Sequence, residues 1–543
     1  MDVTSFSGTV TLSQTDDTAV SLSNVTGQTL ALNKVAANTT LTAALGATQT
    51  SVTLSNAAAA GAASFSVAGA KLDTVNLTTD KTAGALTVAD TGNTTKTANI
   101  TASGTAAVTV NSTALENVKI SGAGAVTLTA GTAPSKTLDA SGSTGGVTYA
   151  VDLVAQQFTG SSAKDTVQFG ATTKAQTLGA GDDAVTMSVA ALGTGGSIDG
   201  GEGTDTISLS AANIATATSN ATLGAAFQAS ISNFEKLGIG ATGGAATVVD
   251  AQYIDGITYL VSAGSTTGTL TVNNMAGNST FESTALQGAA VALNLKDNTG
   301  TADVMNLKFS ATDGFTSTAA ITAAGVETLN ITTADTDTTA PTTVFTAPIT
   351  AAAVKSVVVA GNVGIDLTGL NATTLTSFDA TGVTATGAAG AVTLVTGNLA
   401  ADATIKGGAG NDVLNASAAV TKTVNIDGGA GNDTITGSAA KVNTLTGGDG
   451  NDIIVGGSAA DTISGGAGND TITSGAGLDI VDVGAGDDTF VVTANANGNT
   501  YASITGMGKG DKIDFIDGTA AGTFTTAKIT FVSGGCKLIQ ASD

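Results

Sequence analysis

A nine-residue unit recurs towards the C-terminal end of the sequence and restricts the fold more than any other feature. It reads G-G-x-G-x-D-x-U-x, with U a large apolar residue. Complete or nearly complete copies start at Gly407 ("GGAGNDVLN"), Gly428 ("GGAGNDTIT"), Gly447 ("GGDGNDIIV") and Gly465 ("GGAGNDTIT"). Looser copies start at Gly456, Ser474 and Val483. Successive complete copies begin 18 to 21 residues apart, with the degenerate stretches 416–427 and 437–446 between the first three. A fixed period of this kind marks a stacked, repetitive fold. If each unit is half of a flattened coil, the complete units stack along one edge and the degenerate ones along the other. Glycine supplies the positive φ or the close approach that such tight turns need. The last three residues of each unit form a short strand whose middle residue points inward. That predicts one inner column of Leu414, Ile435, Ile454, Ile463, Ile472, Val481 and Phe490, a thin core.

The aspartate at position six brings a hard anionic oxygen to turns rich in exposed carbonyls. Ca²⁺ takes six to eight oxygen ligands, backbone carbonyls among them. An ion lodged between two coils would draw on the turn glycines Gly408, Gly410, Gly429, Gly431, Gly448, Gly450, Gly466, Gly468, Gly484 and Gly486. A ladder of Asp412, Asp433, Asp452, Asp470 and Asp488 would supply carboxylates on that edge. Gly457, Asp461 and Asp479 make a shorter ladder on the other edge. The competing reading is a metal-free coil in which each aspartate caps its own turn. A weaker series lies upstream: "GGEGTDTIS" (200–208) is complete, while "LGAGDDAVT" (178–186) and "GSSAKDTVQ" (160–168) are partial. Its candidate ligands are Asp165, Gly179, Gly181, Asp183, Gly201, Gly203 and Asp205. There the metal-filled and metal-free readings stand level.

The 407–491 residues resemble the RTX nonapeptide array, the calcium β-roll of proteins exported by type I secretion. The resemblance implies an all-β chain with few short helices. The expected fold is an elongated β-solenoid of short parallel strands and calcium-filled turns.

Composition narrows the function. The chain of 543 residues has no His, and all 19 of its basic residues are lysines. Without His there is no serine or cysteine triad and no imidazole-ligated zinc. Without Arg there is no bidentate clamp for phosphate or carboxylate. A carboxylate pair of the glycosidase type survives on composition alone, but no segment differs in composition as a separate catalytic domain would. The expectation is therefore no enzymatic activity. A net charge of −24 disfavours nucleic acid and suits a collector of cations. The single cysteine, Cys536, reads as a buried free thiol, since no base is present to activate it. No apolar run is long enough to span a membrane, and no basic-then-apolar segment opens the sequence.

Five segments are expected. Residues 1–115 form a Thr/Ala-rich strand region, and 116–210 a strand ladder leading into the upstream roll. Residues 211–350 form a β region with one or two short helices and a proline-containing loop. Residues 351–490 form a second ladder with the main roll, and 491–543 a β cap. The stretches 116–151 and 354–395 resemble one another, which suggests a duplicated module. Helix is expected over 211–233 and 248–256, and a linker or surface loop over 332–348. Phe490, Tyr501, Ile504, Ile513 and Phe515 are expected to plug the end of the coil. The acids Asp73, Glu116, Glu235 and Glu327 open strands, where capping or solvent exposure is favoured over metal binding.

The whole chain is also similar to RTX-type S-layer proteins of Gram-negative bacteria, being Ala/Thr/Gly/Val-rich, acidic and free of His and Arg. That resemblance implies an extracellular, cell-surface protein exported without a cleaved N-terminal signal. It implies self-assembly into a two-dimensional lattice, with calcium also bridging subunits. Lipopolysaccharide would be contacted through a region not matched in this chain, read as a lattice-forming fragment of a longer protein. A calcium-stiffened RTX adhesin and an extracellular enzyme with an RTX tail are the alternatives.

Overall fold

The computed structural model describes residues 63–82, 85–129, 131–254, 256–337, 339, 341–370, 372–493, 502–516, 527–532 and 535–540. N-terminal to these it describes residue 2 and the segments 9–13, 20–25, 28–33, 40–45 and 51–59. The chain packs as two units, Met1–Gly240 with Tyr253–Ile257, and Ala241–Gln252 with Thr258–Asp543.

Each unit is a parallel β-solenoid. Most of its strands hold three to nine residues and pair in parallel with the strand one coil away. In the first unit one sheet stacks Thr74–Thr82, Thr97–Ala102, Asn117–Gly122 and Thr137–Ser143, and a second sheet stacks Ala85–Asp90, Ala106–Asn111, Val126–Leu128 and Val147–Leu153. Residues alternate inside and outside, so that Val75, Ala98, Val118, Leu138 and Phe158 form one buried column. Alternation of Thr or Asn with Val, Ile or Leu satisfies the period of a half-buried strand. Coil length varies with the turns. The step is 18 residues where nonapeptides follow one another, as from Thr471 to Thr489, and 28 from Thr328 to Ser356.

In the main roll the seven expected core residues divide between two facing sheets. Leu414, Ile435, Ile454, Ile472 and Phe490 stack on one. Ile463 and Val481 stack on the other, with Ile426 and Leu445 below them and Ile504 above. All ten are at most 2% exposed. The core is thus two residues thick, not one. The degenerate stretches 416–427 and 437–446 account for the difference, because they lack the turn aspartate but supply the opposing strands Val424–Ala430 and Asn443–Asp449.

The resembling stretches fold alike. Asn117–Gly122 and Ser356–Gly361 share strand length and burial pattern, and so do Thr137–Ser143 and Ser377–Val383. Both pairings shift register, between Lys119 and Ser121 in one and between Val358 and Ala360 in the other.

Two α-helices occur among the described residues. Helix α1 (Ala211–Ala217) starts at Ser210, whose Oγ accepts from the Asn213 N–H, and helix α2 (Ala221–Ser230) starts at Asn220, whose Oδ1 accepts from Thr222 and Leu223. Such caps satisfy amides that open a helix, and Asn220 breaks the expected helix in two. Over 248–256 the expectation is corrected: Thr247–Asp250 is a strand, and only Ala251–Tyr253 forms a short 3₁₀ turn. The Tyr253 ring lies where any side chain on Gly224 would be, which ties that turn to α2. The expected linker is shorter than 332–348, because Thr328–Asp335 continues the sheet.

Residues after the roll extend the coil before closing it. Ser503–Thr505 and Lys512–Ile516 add parallel strands on the two sheets. The hairpin Ala527–Val532 with Gly535–Gln540 then pairs antiparallel to Ser503 and Ile504. Phe490 and Ile504 are buried and Ile513 is half-buried. Tyr501 and the side chains of Phe515 and Cys536 lie outside the described residues.

Candidate metal centre

Three ladders of aspartate run up the inside of the turns, and all ten expected residues are at most 2% exposed. In each ladder the backbone N–H of one residue donates to Oδ1 of the aspartate one coil on. On the main edge these bonds run from Asp412 to Asp433 (2.7 Å), Asp433 to Asp452 (2.8 Å), Asp452 to Asp470 (2.9 Å) and Asp470 to Asp488 (2.9 Å). The opposite edge has Asn443 to Asp461 (2.7 Å) and Asp461 to Asp479 (2.9 Å). Upstream the series is Asp165 to Asp183 (2.6 Å) and Asp183 to Asp205 (2.8 Å).

The second carboxylate oxygen divides the residues into two kinds. For Asp412, Asp461 and Asp165 it accepts an amide of its own turn, from Gly408 (2.6 Å), Gly457 (2.7 Å) and Ser161 (2.7 Å). These aspartates cap their own turns. For Asp433, Asp452, Asp470, Asp488, Asp183 and Asp205 the second oxygen is buried and has no hydrogen-bond partner. A buried polar atom left alone costs about 1–3 kcal/mol, and more when charged. Asp303 holds one further such oxygen outside the ladders.

Backbone conformation at positions two and four tracks this division. All six open carboxylates follow a pair of glycines with φ between +98° and +150°: Gly429 and Gly431, Gly448 and Gly450, Gly466 and Gly468, Gly484 and Gly486, Gly179 and Gly181, Gly201 and Gly203. Gly408, Gly410 and Gly457 are absent from the positive-φ set. Asp479 follows the left-handed pair Gly475 and Gly477, but Ser474 gives its carboxylate a side-chain hydrogen bond. The glycines also stack: a methyl group on Gly448 or Gly450 would overlap the carbonyl oxygen of Gly429 or Gly431 one coil below. Carbonyl oxygens therefore occupy the column that side chains would otherwise fill.

Burial is the main force on these acids. It raises Asp433 to about 8, with Asp412, Asp452 and Asp427 adding like charge, and the Asp412 amide opposes the rise. Burial raises Asp183 to about 7, and Asp412, Asp452 and Asp470 to about 6. It also pushes Asp165, Asp205, Asp461, Asp479 and Asp488 upward. A protein that works near neutral pH with such carboxylates charged needs a cation beside them.

The donor set fits calcium. One carboxylate per half-turn among stacked carbonyls is a hard, oxygen-only environment. No group of three or more acidic or thiol side chains converges among the described residues, so carbonyls must supply much of any coordination shell. Residues 400–419, 425–441, 440–472 and 455–490 match the RTX calcium-binding nonapeptide repeat.

The chain carries RTX calcium-binding repeats.

Its main roll binds several calcium ions. No curated protein matched the sequence. Within the RTX segment Asp433, Asp452, Asp470 and Asp488 have an unpartnered oxygen to offer the ions, beside the carbonyls of the paired glycines.

Four asparagines escaped the sequence reading. Position five forms its own outer ladder, in which Asn432, Asn451, Asn469 and Asp487 donate backbone N–H groups to Oδ1 of Asn411, Asn432, Asn451 and Asn469. The recurring "ND" pair was its signal. Asp511 was missed too: it accepts the Asp488 amide (2.8 Å) and caps its own turn through Gly508 (2.6 Å), ending the ladder. No nonapeptide announces it. The strand-opening acids divide between capping and the surface. Glu235 and Glu327 accept backbone amides, while Asp73 and Glu116 pair with Lys96 and Lys136 at the surface.

Proposed function

We propose that this protein is a structural, non-enzymatic component of a bacterial cell surface, set into shape by extracellular calcium and assembled into a two-dimensional lattice. The observation behind the calcium dependence is the set of open, buried carboxylate oxygens in the RTX segment. Extracellular calcium modules have dissociation constants of about 10⁻⁴–10⁻³ M, so the roll is only weakly stable where calcium is scarce and is made firm outside the cell. Export by a type I pathway suits a chain whose roll is only weakly stable until then. No helix among the described residues is long and apolar enough to cross a membrane.

Composition supports the lattice reading. Both units share the same Gly/Thr/Ala/Val solenoid, and a net charge of −24 calls for cations between neighbouring copies. Outward apolar side chains such as Ile453, Leu478 and Ile480, 50–63% exposed, are available for lateral contact. The adhesin reading shares the calcium roll and differs only in what the outer faces touch.

Electron microscopy of the purified chain with calcium and then with chelator separates the two. Ordered sheets that dissolve in chelator are expected. Isolated rods that bind a matrix or cell surface would replace the lattice by the adhesin, and compact particles that cleave a substrate would overturn both.

A further inference from the structure

The upstream roll lies outside the residues that match the RTX repeat, yet it repeats the hydrogen-bond arrangement of the main roll. The main ladder opens with a self-capped acid, Asp412, continues through four open carboxylates and closes on Asp511, which accepts the Asp488 amide. The upstream ladder opens with a self-capped acid, Asp165, continues through Asp183 and Asp205, and closes on Glu235, whose Oε2 accepts the Asp205 amide at 2.6 Å.

Asp183 and Asp205 are 1% and 0% exposed, and Oδ2 of each is without a partner. Left-handed glycines precede both, at φ +102° and +123° for Gly179 and Gly181 and at +98° and +137° for Gly201 and Gly203. The carbonyl oxygens of Gly179 and Gly181 stand where side chains on Gly201 and Gly203 would be, as in the main roll. The outer ladder is present as well, since the Thr204 N–H donates to Asp182 Oδ1 at 2.9 Å.

We infer that residues 178–205 form a second calcium site, in which Asp183 and Asp205 face the ion with the stacked carbonyls of Gly179, Gly181, Gly201 and Gly203, while Asp165 is its metal-free end. Each open oxygen is a buried acceptor that a divalent cation satisfies. Asp165 has no unpartnered oxygen, because the Val147 N–H and the Ser161 hydroxyl reach Oδ1 and the Ser161 N–H reaches Oδ2. The site shares the chemistry of the main roll and does not depend on the lattice reading.

The test is an anomalous difference map from crystals of the full chain grown in calcium. Peaks are expected beside Asp183 and Asp205 and none beside Asp165. Peaks confined to the main roll overturn this inference and leave its calcium intact; peaks in neither roll overturn both. In solution, D183N/D205N in the full chain should lower the calcium bound per chain at saturation by at least one, while D165N leaves the ratio unchanged. An unchanged ratio in the double variant, or an equal fall in D165N, overturns the assignment. Should the double variant fail to fold, the map decides alone.

Discussion

Asp452 accepts the Asp433 amide with one oxygen and leaves the other open. An asparagine at this position could keep that hydrogen bond while removing the charge, so D452N isolates the ion from the ladder. A ligand held at about 100 times its Kd adds roughly 2.7 kcal/mol per site. D452N is expected to lose stabilisation of that order in saturating calcium and to lose little in chelator. Thermal melts in both conditions check this; an equal loss in the two would mean that the ladder, not the ion, was damaged. Protons compete for the same oxygens. Asp433 at about 8, Asp183 at about 7 and Asp412, Asp452 and Asp470 at about 6 all lie above the unfolded value of about 3.9. Their stabilising contribution in the metal-free protein is complete below pH of about 4 and is lost as pH rises through about 6 to 8. In chelator the melting temperature should therefore climb as pH falls from about 8 towards about 5. Calcium affinity should move the opposite way and weaken on acidification, which calorimetric titration at several pH values measures. A metal-free melting temperature that is flat, or that rises with pH, would contradict the buried geometry.

At the scale of the half-turn the decisive group is the peptide before the aspartate. Gly450 has φ of +129°, and a methyl group there would overlap the Gly431 carbonyl. Non-glycine residues in such conformations cost about 1–3 kcal/mol before any clash. G450A should weaken both the roll and its calcium affinity, whereas G243A, at a glycine in open space, should melt like the unaltered chain. The same group explains what the sequence could and could not disclose. The nonapeptide spacing announced the strands, the buried apolar residue of each and the aspartate ladders, because all three follow from a period. It did not reveal that Asp412 and Asp461 satisfy themselves while Asp433 and Asp452 do not. "GGAGNDVLN" and "GGAGNDTIT" are nearly the same phrase, yet Gly408 donates its amide to Asp412 while no amide reaches the second oxygen of Asp433. That depends on the backbone conformation of one residue, left-handed at Gly429 but not at Gly408. Likewise, stretches 416–427 and 437–446 looked like failed repeats because they lack the acid. They proved to be part of the second wall of the core, to which they contribute the inward Ile426 and Leu445.

At the scale of the molecule, the strands of each coil in the main roll pair with the coil before and the coil after, as its 18-residue steps show. Stability is then close to a sum over neighbours, with the ions fastening adjacent coils. Register from Thr444 to Thr462 to Ile480 is uninterrupted, and the outer asparagines and inner aspartates keep the same step. A tandem copy of residues 447–464 therefore presents the same surface below as above and has somewhere to go. Such a chain should fold with one added layer, about 4.8 Å taller in solution scattering, and retain at least one more calcium. An insertion of half that length should fail instead, because it would place acid-bearing turns opposite the wrong wall. The roll is in this sense a ruler graduated in whole layers: its length can be reset by copying one division, with no other part of the protein obliged to change.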